Sequence, residues 1–250
     1  MTLIIPLSLF CFGAILASFA GVIAERLYTG QSWAKGHSRC DSCARQLSVF
    51  DLIPIFSLLV SRGKCRTCHA KISMRHVAGE ILLGALFVGG YVMLGLTISL
   101  AVFLASLWVL YMLTLYDLWH TVVPPVFSTS LIILSLIFSL LQTPSVGDFV
   151  VTLITAAAIA LAFFLLYALS GGRAMGLGDT PVAFALSLLI GSRTLSGLVF
   201  SFWVGGLIGI AILVTRRKGH RMGIEVPFVP FMAAGYLLAF FTTWNPFAPW

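Results

Sequence analysis

Two aspartates stand where acidic residues are rare, at the ends of long apolar runs. Asp117 closes the run 98–116, and Asp179 ends the segment Gly176-Leu177-Gly178-Asp179 and opens the next apolar run. A carboxylate at mid-bilayer costs about 2.5–3.5 kcal/mol on insertion scales, so an acid at a span end is either solvated or functional. Two carboxylates held close together cannot both ionise and share a proton. One then acts as a base on water while its protonated partner polarises a carbonyl, and the titration belongs to the pair. That is the chemistry of amide hydrolysis by paired aspartates. Gly176 and Gly178 have a separate job: they let the backbone turn sharply and pass close to a bound strand. The plainer readings are a helix cap for Asp179, ahead of Thr180-Pro181, and a solvated boundary residue for Asp117. Glu80, about one turn inside an apolar segment, is either a further functional carboxylate or a partner of Arg75 or His76. His120 reads as a snorkelling interface residue.

A second constellation lies in the one stretch that is not membrane-like. Residues 25–76 carry Cys40-Asp41-Ser42-Cys43 and Cys65-Arg66-Thr67-Cys68, four of the five cysteines, with 21 residues between the pairs. Two C-x-x-C knuckles at this separation are the pattern of a closed, four-thiolate zinc site, because two intervening residues let one turn present both sulfurs. Arg39, Arg45, Lys64 and Arg66 favour thiolates and offset the charge of such a centre. Disulfides and a redox-active pair are the alternatives, and a reducing compartment disfavours the first. His37 and His69 flank the knuckles, but four cysteines already fill the ligand shell. Cys11, inside the first apolar run, reads as a packing residue. A loop of about fifty residues is too short for a large core, so metal supplies much of its folding energy.

The elements that must position these residues are apolar. Of 250 residues, 60% are hydrophobic and 9% charged, against about 25% charged in a soluble domain. Eight apolar segments are expected as helices, at about 3–24, 77–96, 98–116, 122–141, 149–170, 180–191, 195–214 and 227–244. The fold class is an all-α polytopic membrane protein, since a lipid-facing backbone must satisfy its hydrogen bonds internally. Three regions follow: a first transmembrane helix (1–24), a cytoplasmic four-cysteine zinc-binding loop (25–76) and a seven-helix membrane domain (77–250). With the amino terminus outside, 14 of the 15 basic residues fall on inner loops and only Arg193 falls outside, as the positive-inside rule requires. Both aspartates then lie at the inner face. The net charge of +7 is explained by orientation and by anionic membrane lipid, which argues against nucleic acid as a partner. The first span has no basic residue before it and Arg26 after it, the pattern of a retained anchor rather than a cleaved signal. The sixth segment is only about 18 Å long against about 30 Å of hydrocarbon, so either the bilayer thins there or Asp179 sits in a sunken cleft. Pro181 suits the first turn of that helix.

Taken in order, these residues resemble the bacterial type IV prepilin peptidases. The resemblance is carried by Ser18-Phe19 and Arg26-Leu27, by Ser38-Arg39-Cys40-x-x-Cys43, and by Asp51-Leu52-Ile53-Pro54. It continues through Arg62-Gly63-Lys64-Cys65-Arg66-x-Cys68, Ile72-Ser73 and Glu80, and then Asp117, Gly176-Leu177-Gly178-Asp179 and Pro227-Phe228-Val229-Pro230-Phe231. It implies a Gly-x-Gly-Asp aspartic protease in which Asp117 and Asp179 are catalytic and Cys40, Cys43, Cys65 and Cys68 hold structural zinc. The expected substrates are pilin-like precursors, cut after a Gly behind a short basic leader at the cytoplasmic side of the bacterial inner membrane. The family's second activity, N-methylation of the new amino terminus, requires S-adenosylmethionine, and no glycine-rich nucleotide fingerprint marks a site for it. Four positions depart from the family pattern: Gly21 for asparagine, Pro125 for an aspartate, Pro181 for a lysine and Val229 for glycine. None touches the two aspartates or the four cysteines. Another intramembrane aspartic protease is the nearest alternative, because Tyr116-Asp117 with Gly-Leu-Gly-Asp also resembles presenilins and signal peptide peptidases, which are not expected to carry the cysteine loop. A non-enzymatic, ion-coupled transporter is the other; internal repeats typical of that class are not found.

Overall fold

The computed structural model describes residues 3–32, 38–40, 42–48, 63–71, 74–215 and 226–242. Lys35, His37, Asp41, 51–54, Arg62, Ile72-Ser73, the basic residues Arg216, Arg217, Lys218 and Arg221, and Glu225 lie outside them. Among the described residues the regular structure is helical, with two isolated β-bridges, both in the cysteine region. Each expected apolar segment corresponds to one α-helix, with ends displaced by at most four residues; the third helix runs on to His120, so Asp117 lies inside it rather than after it. The helices are α1 (Ile4–Tyr28), α2 (Met74–Leu94), α3 (Ile98–His120), α4 (Pro125–Gln142), α5 (Val146–Ser170), α6 (Asp179–Ile190), α7 (Thr194–Thr215) and α8 (Val229–Thr242). Among the described residues, six helical stretches are long and apolar enough to cross a membrane. The chain falls into two compact units, residues 1–100 and 101–250.

In the first unit, α1 and α2 pack along small side chains. A Cβ on Gly13 would come within 2.9 Å of the Gly84 Cα and the Leu83 carbonyl, and one on Gly84 within 2.9 Å of the Phe10 carbonyl. Ala14, Ala17, Ala20 and Ala24 continue the buried stripe on α1. Such close backbone approach is how helices associate where lipid removes the hydrophobic drive between them. Glu80 is buried on α2, one turn before Gly84.

In the second unit the short α6 is the central helix. Nine of its twelve residues are buried, so it is surrounded by protein rather than lipid, and α4, α5, α7 and α8 pack against it. The apolar stretch 179–212 is long enough to read as one span, but it breaks at Gly191 (φ 58°, ψ −121°) and the 3-10 turn Gly191–Arg193. The direction of the chain reverses there. Along α7 and α8, Arg193 meets the Phe240 carbonyl, Gly197 meets Tyr236 and Gly235 meets Ser201, an antiparallel pairing. Ser187 meets Tyr236 further along α6 (3.2 Å), while the start of α6 lies at the level of the start of α8. Helices α6 and α8 therefore run in the same direction, and α6 with α7 forms a hairpin. That arrangement brings the end of α3 and the starts of α6 and α8 to one end of the unit.

Candidate active site and metal centre

Asp117 lies in the last turn of α3 and is 5% exposed. Its Oδ2 accepts a hydrogen bond from the backbone N–H of Val229, 3.2 Å away and 112 residues on in sequence. Val229 is the first residue of α8, whose first turn closes on the Phe228 carbonyl through the amides of Phe231 and Met232. The carboxylate thus faces a helix N-terminus, where unpaired amides and the helix dipole favour negative charge. Pro227 and Pro230 bracket this start, and the Phe228 ring sits against Phe163, Phe202 and Phe231, which fixes where α8 begins.

Asp179 is the first residue of α6 and is 8% exposed. Its Oδ2 accepts from the Gly176 N–H (3.1 Å) while its own N–H donates to the Gly176 carbonyl (3.2 Å), so the four-residue turn closes on itself through the aspartate. This is not an ordinary N-cap, in which the side chain accepts from an amide further into the helix. Gly178 is helical (φ −63°, ψ −22°), so positive φ is not what its lack of a side chain serves. A Cβ there would lie 2.7 Å from the Val123 Cβ. Val123 belongs to the short connection after Asp117, in which Thr121 takes φ 52° and donates its N–H to the Asp117 carbonyl (2.8 Å). The chain leaving Asp117 therefore packs directly on the chain entering Asp179, and the two carboxylates are near enough for their charges to act on each other. His120 is half-buried, with its ring 4.8 Å from that of Tyr116.

Two contributors escaped the sequence reading. Val229 counted only as a departure from a motif, yet its backbone amide is the group that holds Asp117, and the bracketing prolines were the signal for a helix start there. Val123 carried no signal at all. Glu80 lies in the other unit, 7% exposed.

The four cysteines form two copies of one local structure, offset by 25 residues. In each, the first cysteine donates its N–H to a carbonyl five residues on (Cys40 to Arg45, Cys65 to Ala70, both 2.9 Å) and accepts from the amide four residues on. Each carries one isolated bridge, Arg39 with Gln46 and Lys64 with Lys71. Each uses a left-handed residue after its second cysteine, Ala44 (φ 54°) and His69 (φ 56°). His69 therefore serves a backbone turn, and the four cysteines each offer one ligand atom. The four sulfurs lie within 4.8 Å of one another, with Cys40 to Cys68 at 3.8 Å and Cys43 to Cys65 at 4.0 Å. Tetrahedral zinc with sulfur at about 2.3 Å places its ligands about 3.8 Å apart, so the donor set fits. The N–H groups of Cys68 and Thr67 point at the Cys65 sulfur and lower its thiol from 9.0 to about 6. The cluster can hold a metal ion.

Residues 11–94 match the Bacterial Peptidase A24 N-terminal domain, and residues 103–214 match the Type IV leader peptidase family. Curated relatives agree. A prepilin leader peptidase/N-methyltransferase of Bacillus subtilis is 29% identical over 93% of this chain and 92% of its own length. One from Aeromonas hydrophila is 31% identical over 80% of this chain and 70% of its own, and one from Legionella pneumophila is 29% identical over 82% and 71%. No solved structure matches. The chain belongs to the type IV leader peptidase family and is an integral membrane protein.

Proposed function

We propose that Asp117 and Asp179 are the catalytic pair of a membrane aspartic endopeptidase that removes the basic leader of type IV pilin-like precursors. The observation that carries this reading is the convergence of the two buried carboxylates, held by the amides of Val229 and Gly176, at one end of the second unit. In the working form the pair holds one proton. The ionised carboxylate takes a proton from water as its oxygen attacks the scissile carbonyl, and the protonated partner gives its proton to the carbonyl oxygen. In the collapse of the tetrahedral intermediate the C–N bond breaks as the newly protonated carboxyl gives its proton to the departing amine, and its partner takes a proton from a hydroxyl of the intermediate as the new carboxyl group forms, which restores the singly protonated pair. Cleavage should fall at both pH extremes, because losing or gaining that proton disables one of the two roles.

The distribution of basic residues supports a cytoplasmic position for the cysteine loop and for the aspartates, in the bacterial inner membrane. Zinc is the metal we assign to Cys40, Cys43, Cys65 and Cys68: four thiolates with sulfur spacings near tetrahedral leave no open position, so its role is structural. The relatives' names also support N-methylation of the trimmed amino terminus with S-adenosylmethionine as methyl donor. Mass spectrometry of a pilin-like precursor incubated with the purified protein tests both activities at once. Loss of the leader, with or without an added methyl, is the expected result; a precursor left intact under conditions where a family relative cuts it would contradict the reading.

A further inference from the structure

The other end of the second unit carries a built cavity. It has a volume of about 720 Å³, within the range of small-molecule sites, and is walled by the ends of α4, α6 and α8 and the beginnings of α5 and α7. Its origin is the shortness of α6. Twelve residues rise about 18 Å while the 18 of α4 rise about 27 Å, so the Gly191–Arg193 turn stops below its neighbours. Its lining mixes apolar residues, among them Leu188 and Phe240, with polar and charged ones, Ser139, Thr152, Asp148 and Arg193.

Three features of the polar lining point to a ligand. Ser139 lines the cavity and is 3% exposed, and its buried hydroxyl has no hydrogen-bond partner, an expensive arrangement for a buried polar group. Arg193, the basic residue that the topology sets apart from the other 14, is half-buried and donates one N–H to the Phe240 carbonyl (3.1 Å). Its guanidinium keeps further donors. The starts of α5 and α7 both open here, adding the positive ends of two helices. Against these stands one carboxylate, Asp148, exposed at the mouth and bonded to the Ser145 hydroxyl (2.7 Å). Arg193 and Asp148 line the same cavity, and among the described residues no ion pair joins them.

We infer that this cavity binds a phospholipid whose headgroup carries both a phosphate and a primary ammonium. The phosphate takes Arg193 and the Ser139 hydroxyl, the ammonium takes Asp148, and an acyl chain lies on Leu188 and Phe240. A ligand with phosphate alone leaves Asp148 facing an anion, and a quaternary ammonium has no N–H to donate to it. A lipid supplies the site from the surrounding bilayer and satisfies the sunken arginine, which in hydrocarbon is costly without an anionic partner.

Native mass spectrometry of the full-length protein in detergent, with short-chain phosphatidylethanolamine, phosphatidylcholine or phosphatidylglycerol added in turn, tests this. The expected result is one tightly held equivalent of phosphatidylethanolamine, preferred about tenfold over the other two. Arg193→Gln should lower retention of all three at least tenfold, and Asp148→Asn should remove only the preference for the ammonium headgroup. Ser139→Leu fills the cavity with an apolar side chain that suits α4, and should abolish retention even if Arg193→Gln fails to fold. Equal retention of the three lipids by the wild type, or undiminished retention by Ser139→Leu, would overturn the inference.

Discussion

The cysteine region and the aspartate site solve the same problem, holding a few charged groups in fixed geometry, by opposite means. Each cysteine knuckle is made within eight residues, from Arg39 to Gln46 and from Lys64 to Lys71, and is closed by its own backbone hydrogen bonds. Only the meeting of the two knuckles is long-range, and a metal ion is what would enforce it. The aspartate site has no comparable local unit. Asp117 is held by an amide 112 residues away, and Asp179 is placed by a glycine that must sit against Val123. On the proposed reading one region depends on its metal, the other on packing among helix ends. Perturbations of the two should therefore separate.

The largest effect is expected from removing a carboxylate. Asp117→Asn and Asp179→Asn should each lower cleavage by roughly a thousandfold or more, because an amide can neither take a proton from water nor share one. Metal content, measured by elemental analysis, should stay at the wild-type value; a simultaneous loss of metal would mean the two regions are not independent. The converse perturbation is Cys40→Ser or Cys65→Ser. Either should remove most of the metal and expose residues 25–76 to limited proteolysis, with a smaller effect on cleavage than either aspartate substitution. Retention of metal and protease resistance by both variants would leave the knuckles without an explanation.

Gly178→Ala probes the contact between the two connections. The added methyl meets the Val123 Cβ at 2.7 Å, and overpacking of this kind costs about 1–3 kcal/mol. Thermal unfolding should fall and cleavage should drop with it, and Val123→Ala in the same chain should restore part of both. An effect of comparable size is expected from Val229→Pro, which deletes the N–H that meets Asp117 while a proline at the first helical position is otherwise well tolerated. Losing a hydrogen bond to a charged group costs about 1.5–3 kcal/mol. The expected change is a fall of at least tenfold in kcat with KM unchanged, together with a displaced pH profile. A purely structural role for Val229 would lower the folded fraction and leave the profile where it was.

What the sequence disclosed follows the same division. The cysteine spacing is a local code, so the two knuckles were legible as a four-sulfur cluster able to hold a metal ion, while the turn role of His69 left no mark in the spacing. The apolar runs were equally plain, because helix formation in lipid is dictated residue by residue. The hairpin at Gly191 was legible too, from Arg193 and the short sixth segment. Tertiary choices were not. Gly178 announced a backbone constraint, but not that Val123 imposes it, and Val229 looked like a lapse from a motif when its side chain is irrelevant to the hydrogen bond it makes. Backbone donors leave no trace in a side-chain pattern. Glu80 remained a carboxylate in search of a role in the sequence, and the structure places it on the α2 face lined by Gly84, in the first unit.

The central claim is that Asp117 and Asp179 act as one group, and a double-mutant cycle tests it most directly. Cleavage of a pilin-like precursor would be followed by mass spectrometry for the wild type, Asp117→Asn, Asp179→Asn and the double variant, with membrane insertion and metal content checked in each. If the pair shares one proton and one task, the double variant cleaves no more slowly than the worse single variant. If instead the two losses multiply, or if either single variant keeps near-normal cleavage, the two carboxylates act independently or not at all, and the paired assignment is wrong.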